Sequence, residues 1–357
     1  MSYLNVIKTA LLVFPVVSLV LCLPFLIYHY RKYGTVSFFR FLVVFSFAFY
    51  LICIYFLVIL PLPSIESVSH YTSLYYNFKP FFVIPEVIFS SGFSYDFLEP
   101  FFNILMFIPF GMYLHYYFKC SFLKTVIFSF IFSLFFEVTQ LTGLYFIYPR
   151  PYRLFDVNDL INNTTGGIIG YIFMPIFSLL LPNRDKLDST DYIKGDVVGV
   201  GRTIVASIID YALIFLMLFV LWIFDFNYLS FIYILATFIV FVIFPKLSNG
   251  YTFGKWFLKF KNISSSDDGS ISFSKYTFRW FFVHLLLVNG WLLLLLFNEF
   301  CFSLPNFVFN IYFLIVFVFF IYCFNCIIVR KDFLFNSFLD ISNESLIDVF
   351  DGDDYEI

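Results

Sequence analysis

Residues 137–170 read EVTQLTGLYFIYPRPYRLFDVNDLINNTTGGIIG, a polar island between two apolar stretches. It sets Asp156 and Asp159 beside Arg150 and Arg153, followed by a run of amides and glycines. Arginine grips a phosphate or carboxylate in a two-pronged fork, and a helix N-terminus adds a favourable dipole, so this mixture is suited to holding an anion. On a helix, Asp156, Asp159, Asn162 or Asn163, Gly166 and Gly170 fall at steps of three and four and share one face. Glu137 and Gln140 share a face of the preceding apolar segment. A charge near a bilayer core is costly and faces a protein interior or a wet cavity, so Glu137 is expected to need a partner.

Plainer roles are open to the same residues. Asp156 followed by Asp159 is also a helix N-cap with acidic first-turn support. Arg153 against Asp156 or Glu137 would neutralise a buried charge. Gly166 and Gly170 would form a close-packing face for a neighbouring helix. Asn103, near the outer end of an earlier apolar segment, would bridge helices or touch a ligand.

Elements must position these groups, and composition says which kind. The 357 residues are 61% hydrophobic and only 13% charged, with mean hydropathy +0.91. A soluble domain carries about 25% charged residues. The expectation is an all-α polytopic membrane protein. Phenylalanine, at 59 residues, reads as apolar filler of an AT-rich genome, since lipid accepts Phe or Leu alike. The net charge of −3 is small and by itself says nothing about nucleic acid; no nucleic-acid partner is expected. Cys22, Cys53, Cys120, Cys301, Cys323 and Cys326 are scattered, and the Cys323/Cys326 spacing lies inside a continuous apolar run. His29, His70, His115 and His284 form no cluster. No metal and no cofactor is expected.

A spanning helix needs about 20 apolar residues. About nine candidates follow: 5–28, 38–61, 100–118, 122–142, 159–181, 203–224, 228–245, 280–300 and 306–329. The first is too long for a signal peptide and lacks a cleavage site, so it is expected to remain as a membrane helix. Residues 62–99 form the longest loop. Of the 21 basic residues, all but Lys8, Lys79, Arg150 and Arg153 fall on alternate connections. The positive-inside rule then puts the N-terminus outside, the C-terminus in the cytoplasm, and the polar island at the external leaflet.

A charged, glycine-bearing stretch marks a boundary. The expected organisation is a five-helix membrane domain over 1–182, a linker over 183–201, a four-helix membrane domain over 202–350 and an acidic tail over 351–357. In the second half, Arg202 opens a helix that carries Asp210 two turns on; an ion pair between them, or a cation site, is expected. The segment NGYTFGKWFLKFKNISSSDDGS suggests an amphipathic helix on anionic lipid.

These residues carry two resemblances. Asn103-Ile-Leu-Met-Phe-Ile-Pro109-Phe-Gly111, Glu137-x-x-Gln140, Arg153-x-x-Asp156-x-x-Asp159-x-x-Asn162 with Gly166 and Gly170, and Asn77-Phe-Lys-Pro80-Phe81 resemble the motifs of the VanZ-like family over roughly residues 40–182. That resemblance implies a membrane protein linked to low-level resistance to the glycopeptide teicoplanin, with no established reaction. Gly201-Arg202-Thr203, Asp210, Asn249-Gly-Tyr-Thr252-x-Gly254-Lys255, Arg279, Asp340 and Ser345-x-Ile347 resemble the RDD family over roughly residues 197–350. RDD-like proteins are membrane proteins, some suspected in ion transport.

The expected function is that of a cell-envelope protein in the cytoplasmic membrane of a Gram-positive bacterium. Its pocket of Asn103, Glu137, Gln140, Arg150, Arg153, Asp156, Asp159 and Asn162 would bind a membrane lipid or an anionic lipid-linked wall component. Two rivals stand beside it. One is an intramembrane enzyme on a lipid head group, with Glu137 or Asp159 as acid or base. The other is an ion or solute transporter using Arg202 and Asp210. Sequence alone leaves open whether any reaction is catalysed.

Overall fold

The computed structural model describes residues 3–70, 76–80, 95–226, 228–264, 270–294, 305–329, 336 and 338–347. The protein is an all-α membrane protein. Among the described residues its helices include α1 (Tyr3–Tyr33), α2 (Phe38–Ile59), α3 (Tyr95–Tyr116), α4 (Phe122–Leu141), α5 (Val157–Ser178), α6 (Arg184–Gly195), α7 (Val200–Ile223), α8 (Leu229–Phe238), α9 (Phe253–Phe257), α10 (Phe273–Arg279) and α11 (Asn306–Val329). Two π-helical stretches, Ile239–Ile243 and Trp280–Val288, extend α8 and α10.

Among the described residues, six helices are long and apolar enough to cross a bilayer: Ile7–Tyr33, Phe38–Ile59, Phe122–Leu141, Val200–Ile223, Leu229–Leu247 and Phe307–Cys326. Their exteriors are apolar, with Leu19 at 77% and Phe320 at 72% exposed, as lipid-facing surfaces require. Helix α5 falls short of that description because it opens with Asn158, Asp159, Asn162 and Asn163.

The chain forms two compact units: Met1–Val20 with Phe38–Leu187, and Leu21–Ser37 with Asp188–Ile357. In the first, α3 and α5 touch backbone to backbone. A Cβ on Gly170 would lie 2.0 Å from the carbonyl oxygen of Ile108, and one on Gly111 would lie 2.0 Å from that of Gly167. Glycine is what allows the main chains to meet. Helix α4 packs on this pair along a stripe spaced by four: Thr125, Ser129, Ser133 and Glu137, all buried. Phenylalanines close the other side, where Phe107, Phe110 and Phe136 join Ile54 and Ile59 of α2. A two-residue strand, β1 (Tyr76–Asn77), runs parallel to β2 (Phe155–Asp156), with Asn77 opposite Asp156.

In the second unit, α7 and α9 pack through Gly254, whose Cβ would lie 2.0 Å from the carbonyl oxygen of Ala206. Strand β3 (Phe260–Ser264) pairs antiparallel with β4 (Ile341–Ser345). Leu26, Ile27 and Tyr30 of α1 pack against Val205, Leu258 and Phe260, so the end of the first helix belongs here.

One expectation is corrected. Among the described residues, the segment 249–264 is not a continuous surface helix. Thr252, Gly254, Lys255, Leu258 and Phe260 are buried, because the chain turns in against α7 and continues as a strand. Within the 183–201 stretch, Arg184–Gly195 forms a helix whose start is capped by Asn183 Oδ1, 2.8 Å from the Asp185 amide.

Candidate functional site

The polar island folds onto the N-terminus of α5. Asp156 caps that helix: its Oδ1 accepts the Asn158 backbone amide at 2.8 Å and the Asn158 side-chain amide at 2.8 Å. Asn77 donates to the same carboxylate at 3.2 Å. The Asn158 side chain also donates to the Lys79 carbonyl at 3.2 Å, while the Lys79 amide donates to Asn77 Oδ1 at 3.1 Å. One carboxylate therefore ties the 76–80 loop to the start of α5. The cap satisfies amide groups that a helix end leaves without partners.

Glu137 lies beneath this cap. It is 3% exposed, and its Oε2 accepts the Asp156 backbone amide at 3.0 Å. One turn into α5, Asp159 accepts from Asn103 of α3 at 2.7 Å. Ser133 donates to the Asp159 carbonyl at 3.5 Å, and Asn163 donates to Ser133 at 2.9 Å. Three elements, α3, α4 and the start of α5, thus meet around two carboxylates held by amide donors. Buried polar groups of this kind are held by satisfying their hydrogen bonds within the protein.

The arginines sit at the rim. Arg153 is exposed, donates through Nη1 to the Val58 carbonyl at 2.9 Å, and acts electrostatically on both Glu137 and Asp159. Gln140 donates to the same Val58 carbonyl at 3.3 Å. The end of α2 is therefore clamped to the arginine loop. Arg150 is half-buried, and its carbonyl oxygen lies 2.8 Å from where a Gly143 Cβ would be. Gly143, Leu144, Tyr145 and Phe146 all have positive φ, of 59°, 55°, 59° and 69°. A left-handed run through three side-chain-bearing residues costs about 1–2 kcal/mol each. Tyr148, which donates to the Pro63 carbonyl at 2.8 Å, helps hold the turn. Tyr152 is packed in the same loop, where burial pushes its phenol up to about 12.

Of the sequence-derived pocket, Asn103, Glu137, Gln140, Arg153, Asp156 and Asp159 are joined by this network. Asn162 is half-buried, and its side chain makes no hydrogen bond among the described residues; the neighbouring Asn163 turns into the bundle instead. Sequence reasoning missed Asn158 and the hydroxyl stripe of α4, and it took Asn162 rather than Asn163 into the pocket. The signal for the stripe was present, as Thr125, Ser129 and Ser133 stand at steps of four in a Phe-rich run.

In the second unit the Arg202–Asp210 ion pair does not form, which corrects the expectation. Eight residues on a helix separate them by about 12 Å. Arg202 is fully buried and donates to the carbonyls of Gly195, Leu258 and Lys259 and to Ser345 Oγ, at 2.7–3.1 Å. Asp210 accepts instead from Thr252 Oγ1 at 2.6 Å and from the Gly254 amide at 2.7 Å. Lys255, buried beside it, has its ammonium held well below the usual lysine range, chiefly by burial and then by Arg279. A further buried chain links Tyr211, His284, Asn289 and Tyr233 by hydrogen bonds.

A profile of the family described as VanZ/LLP1 matches residues 47–178, and one of the RDD family matches residues 197–332. Protein VanZ of Enterococcus faecium is 34% identical over 143 residues, covering 40% of this chain and 78% of that protein. No solved structure matches. The first match spans the whole Glu137–Asp159 network and the helices that build it, and the apolar helices are those of a multi-pass membrane protein. The chain therefore belongs to the VanZ family of bacterial membrane proteins, and its second part matches the RDD family.

Proposed function

We propose that the first unit is a non-enzymatic envelope module that binds an anionic lipid-linked or wall component at the outer leaflet and alters susceptibility to teicoplanin. One observation carries the reading. Arg153 is the exposed member of the network, anchored to the Val58 carbonyl by one nitrogen while its charge acts on two acids beneath it. The carboxylates hold the frame, and the guanidinium at the rim meets the ligand. The positive-inside pattern supports an external position for this rim, and the likeness to Protein VanZ supports the link to glycopeptides.

The test is a chromosomal Arg153→Lys variant beside a full deletion, read as the minimal inhibitory concentration of teicoplanin. Deletion lowers resistance, and Arg153→Lys follows it, because lysine cannot reproduce a planar fork. Unchanged teicoplanin sensitivity on deletion overturns the reading.

A second reading, hydrolysis or transfer at a lipid head group, draws on the two carboxyl groups Glu137 and Asp159, both of which feel the charge of Arg153. Labelled head-group turnover by wild type and Glu137→Gln separates it from the first, since equal turnover eliminates catalysis. The transport alternative draws less support. Asp210 is 1% exposed, and its two oxygens are held by Thr252 and the Gly254 amide, so the carboxylate serves packing between α7 and α9.

A further inference from the structure

Helices α3 and α5 carry a second recess at their far end. His115 and Met174 lie 12 and 15 residues beyond Asn103 and Asp159, about 20 Å along the helices. There a cavity of about 610 Å³ opens where α3 ends, α4 begins and α5 leads into α6. His115, Lys119, Ser121, Ser178, Asn183 and Arg184 supply its polar lining. All lie in the first unit.

The charge around it is mostly of one sign. The Arg184 guanidinium stands 4.8 Å over the Tyr117 ring. Arg184 and the fully buried Arg40 both act electrostatically on Tyr116, and Lys124 acts on Cys120. Asp185 pairs with Lys119 at 2.6 Å, but both side chains are at least half exposed, at 62% and 50%. A pair that open is weak and exchanges readily for a competing anion. Ser121, which starts α4, makes no capping bond with its hydroxyl.

Leu179 lines the recess, and exposed apolar residues adjoin its lining residues in the chain. Leu179 and Leu180 are 83% and 85% exposed, and Phe118 and Phe122 are each 47% exposed. Cations and a serine hydroxyl beside exposed leucine and phenylalanine, at the ends of helices, suit the boundary where acyl chains give way to phosphates.

We propose that this recess binds the phosphate of an anionic phospholipid head group. Arg184 and Lys119 neutralise the phosphate, Ser121 donates to it, and the acyl chains lie along Phe118, Leu179 and Leu180. A soluble phosphate shares the ionic contacts but gains nothing from the apolar residues, which is why the lipid is preferred. The proposal does not rest on the Arg153 site.

The test uses the full-length protein in detergent, titrated with phosphatidylglycerol or phosphatidylcholine and followed by native mass spectrometry. Phosphatidylglycerol is expected to be retained and phosphatidylcholine lost. Arg184→Gln and Lys119→Gln are each expected to weaken retention about fivefold, as one basic side chain near a lipid surface is worth, while Arg184→Lys keeps it. An equal loss on Lys259→Gln, in the other unit, would mean general charge attraction and overturn the site. Complete displacement by millimolar inorganic phosphate would overturn the lipid assignment. A photoactivatable phosphatidylglycerol added to unmodified protein gives a readout free of folding effects. Cross-links are expected within residues 117–124 and 178–184, and cross-links confined to other segments refute the proposal.

Discussion

Asn103 of α3 meets Asp159 of α5 at 2.7 Å, and the bond exists because the two backbones touch a turn or two deeper. A Cβ on Gly166 would lie 2.2 Å from the Ile104 carbonyl oxygen. The amide and the acid are thus held in register by main chain, which gives the network its stiffness.

Replacing Asn103 with alanine leaves Asp159 without its side-chain amide donor. The expected cost is about 1–3 kcal/mol, the penalty for stranding a buried acceptor. Asn103→Asp, which sets a second carboxylate against the first, is expected to cost more. Thermal melting of the purified protein in detergent reads both, and an unchanged midpoint for Asn103→Ala would show that the bond contributes nothing.

Gly170→Ala places a methyl group 2.0 Å from a backbone oxygen, whereas Gly199→Ala meets nothing within 4 Å. Overpacking against side chains typically costs about 1–3 kcal/mol, and a helix carbonyl yields less readily than a side chain. Gly170→Ala is therefore expected at or above the top of that range, with Gly199→Ala near neutral. Expression yield and melting of the two variants, side by side, check the contrast.

Arg202→Lys keeps the charge but replaces a five-donor fork with three donors on a flexible stem. The carbonyls of Gly195, Leu258 and Lys259 and the Ser345 hydroxyl cannot all be reached. A loss of about 3 kcal/mol is expected from the groups left unsatisfied. Hydrogen exchange across residues 258–264 should quicken, and retained protection there would contradict the knot described for Arg202.

Lys255 offers a pH test. Its ammonium is held well below 10.5 in the folded protein. Between that lowered value and 10.5 the unfolded chain binds more protons, so stability rises with pH through the window, and the full cost of burying the charge is present below it. Lys255→Met should flatten that rise and remove the cost at neutral pH. Lys261, raised by its bond to Glu344, titrates nearby with the opposite sign, so the difference between wild type and variant is the quantity to follow. Parallel curves would show that Lys255 does not titrate in this way.

The class of the protein was legible in composition, and part of the polar network in spacing. Asp156, Asp159, Asn162 or Asn163, Gly166 and Gly170 mark one helix face from sequence, and Glu137 stands out as an acid in an apolar run. The pairing of Asp210 was not legible. A carboxylate inside a helix asks for donors, and a nearby arginine is the obvious candidate. Nothing local reveals that Thr252 and Gly254, more than forty residues on, fold back to supply them. Arg202 was misread for the same reason, because carbonyl acceptors leave no trace in side-chain type. The buried course of residues 252–260 was hidden too, since lysines among aromatics look the same from sequence whether they lie on a lipid surface or turn inward.

Seating two helices main chain against main chain has an evolutionary side. The tightest contacts that set Asn103 opposite Asp159 are between glycines and carbonyl oxygens. The outward-facing phenylalanines are then at liberty to follow codon bias, exchanging with leucine or isoleucine over generations, while the distance between amide and acid stays where the peptide backbone put it.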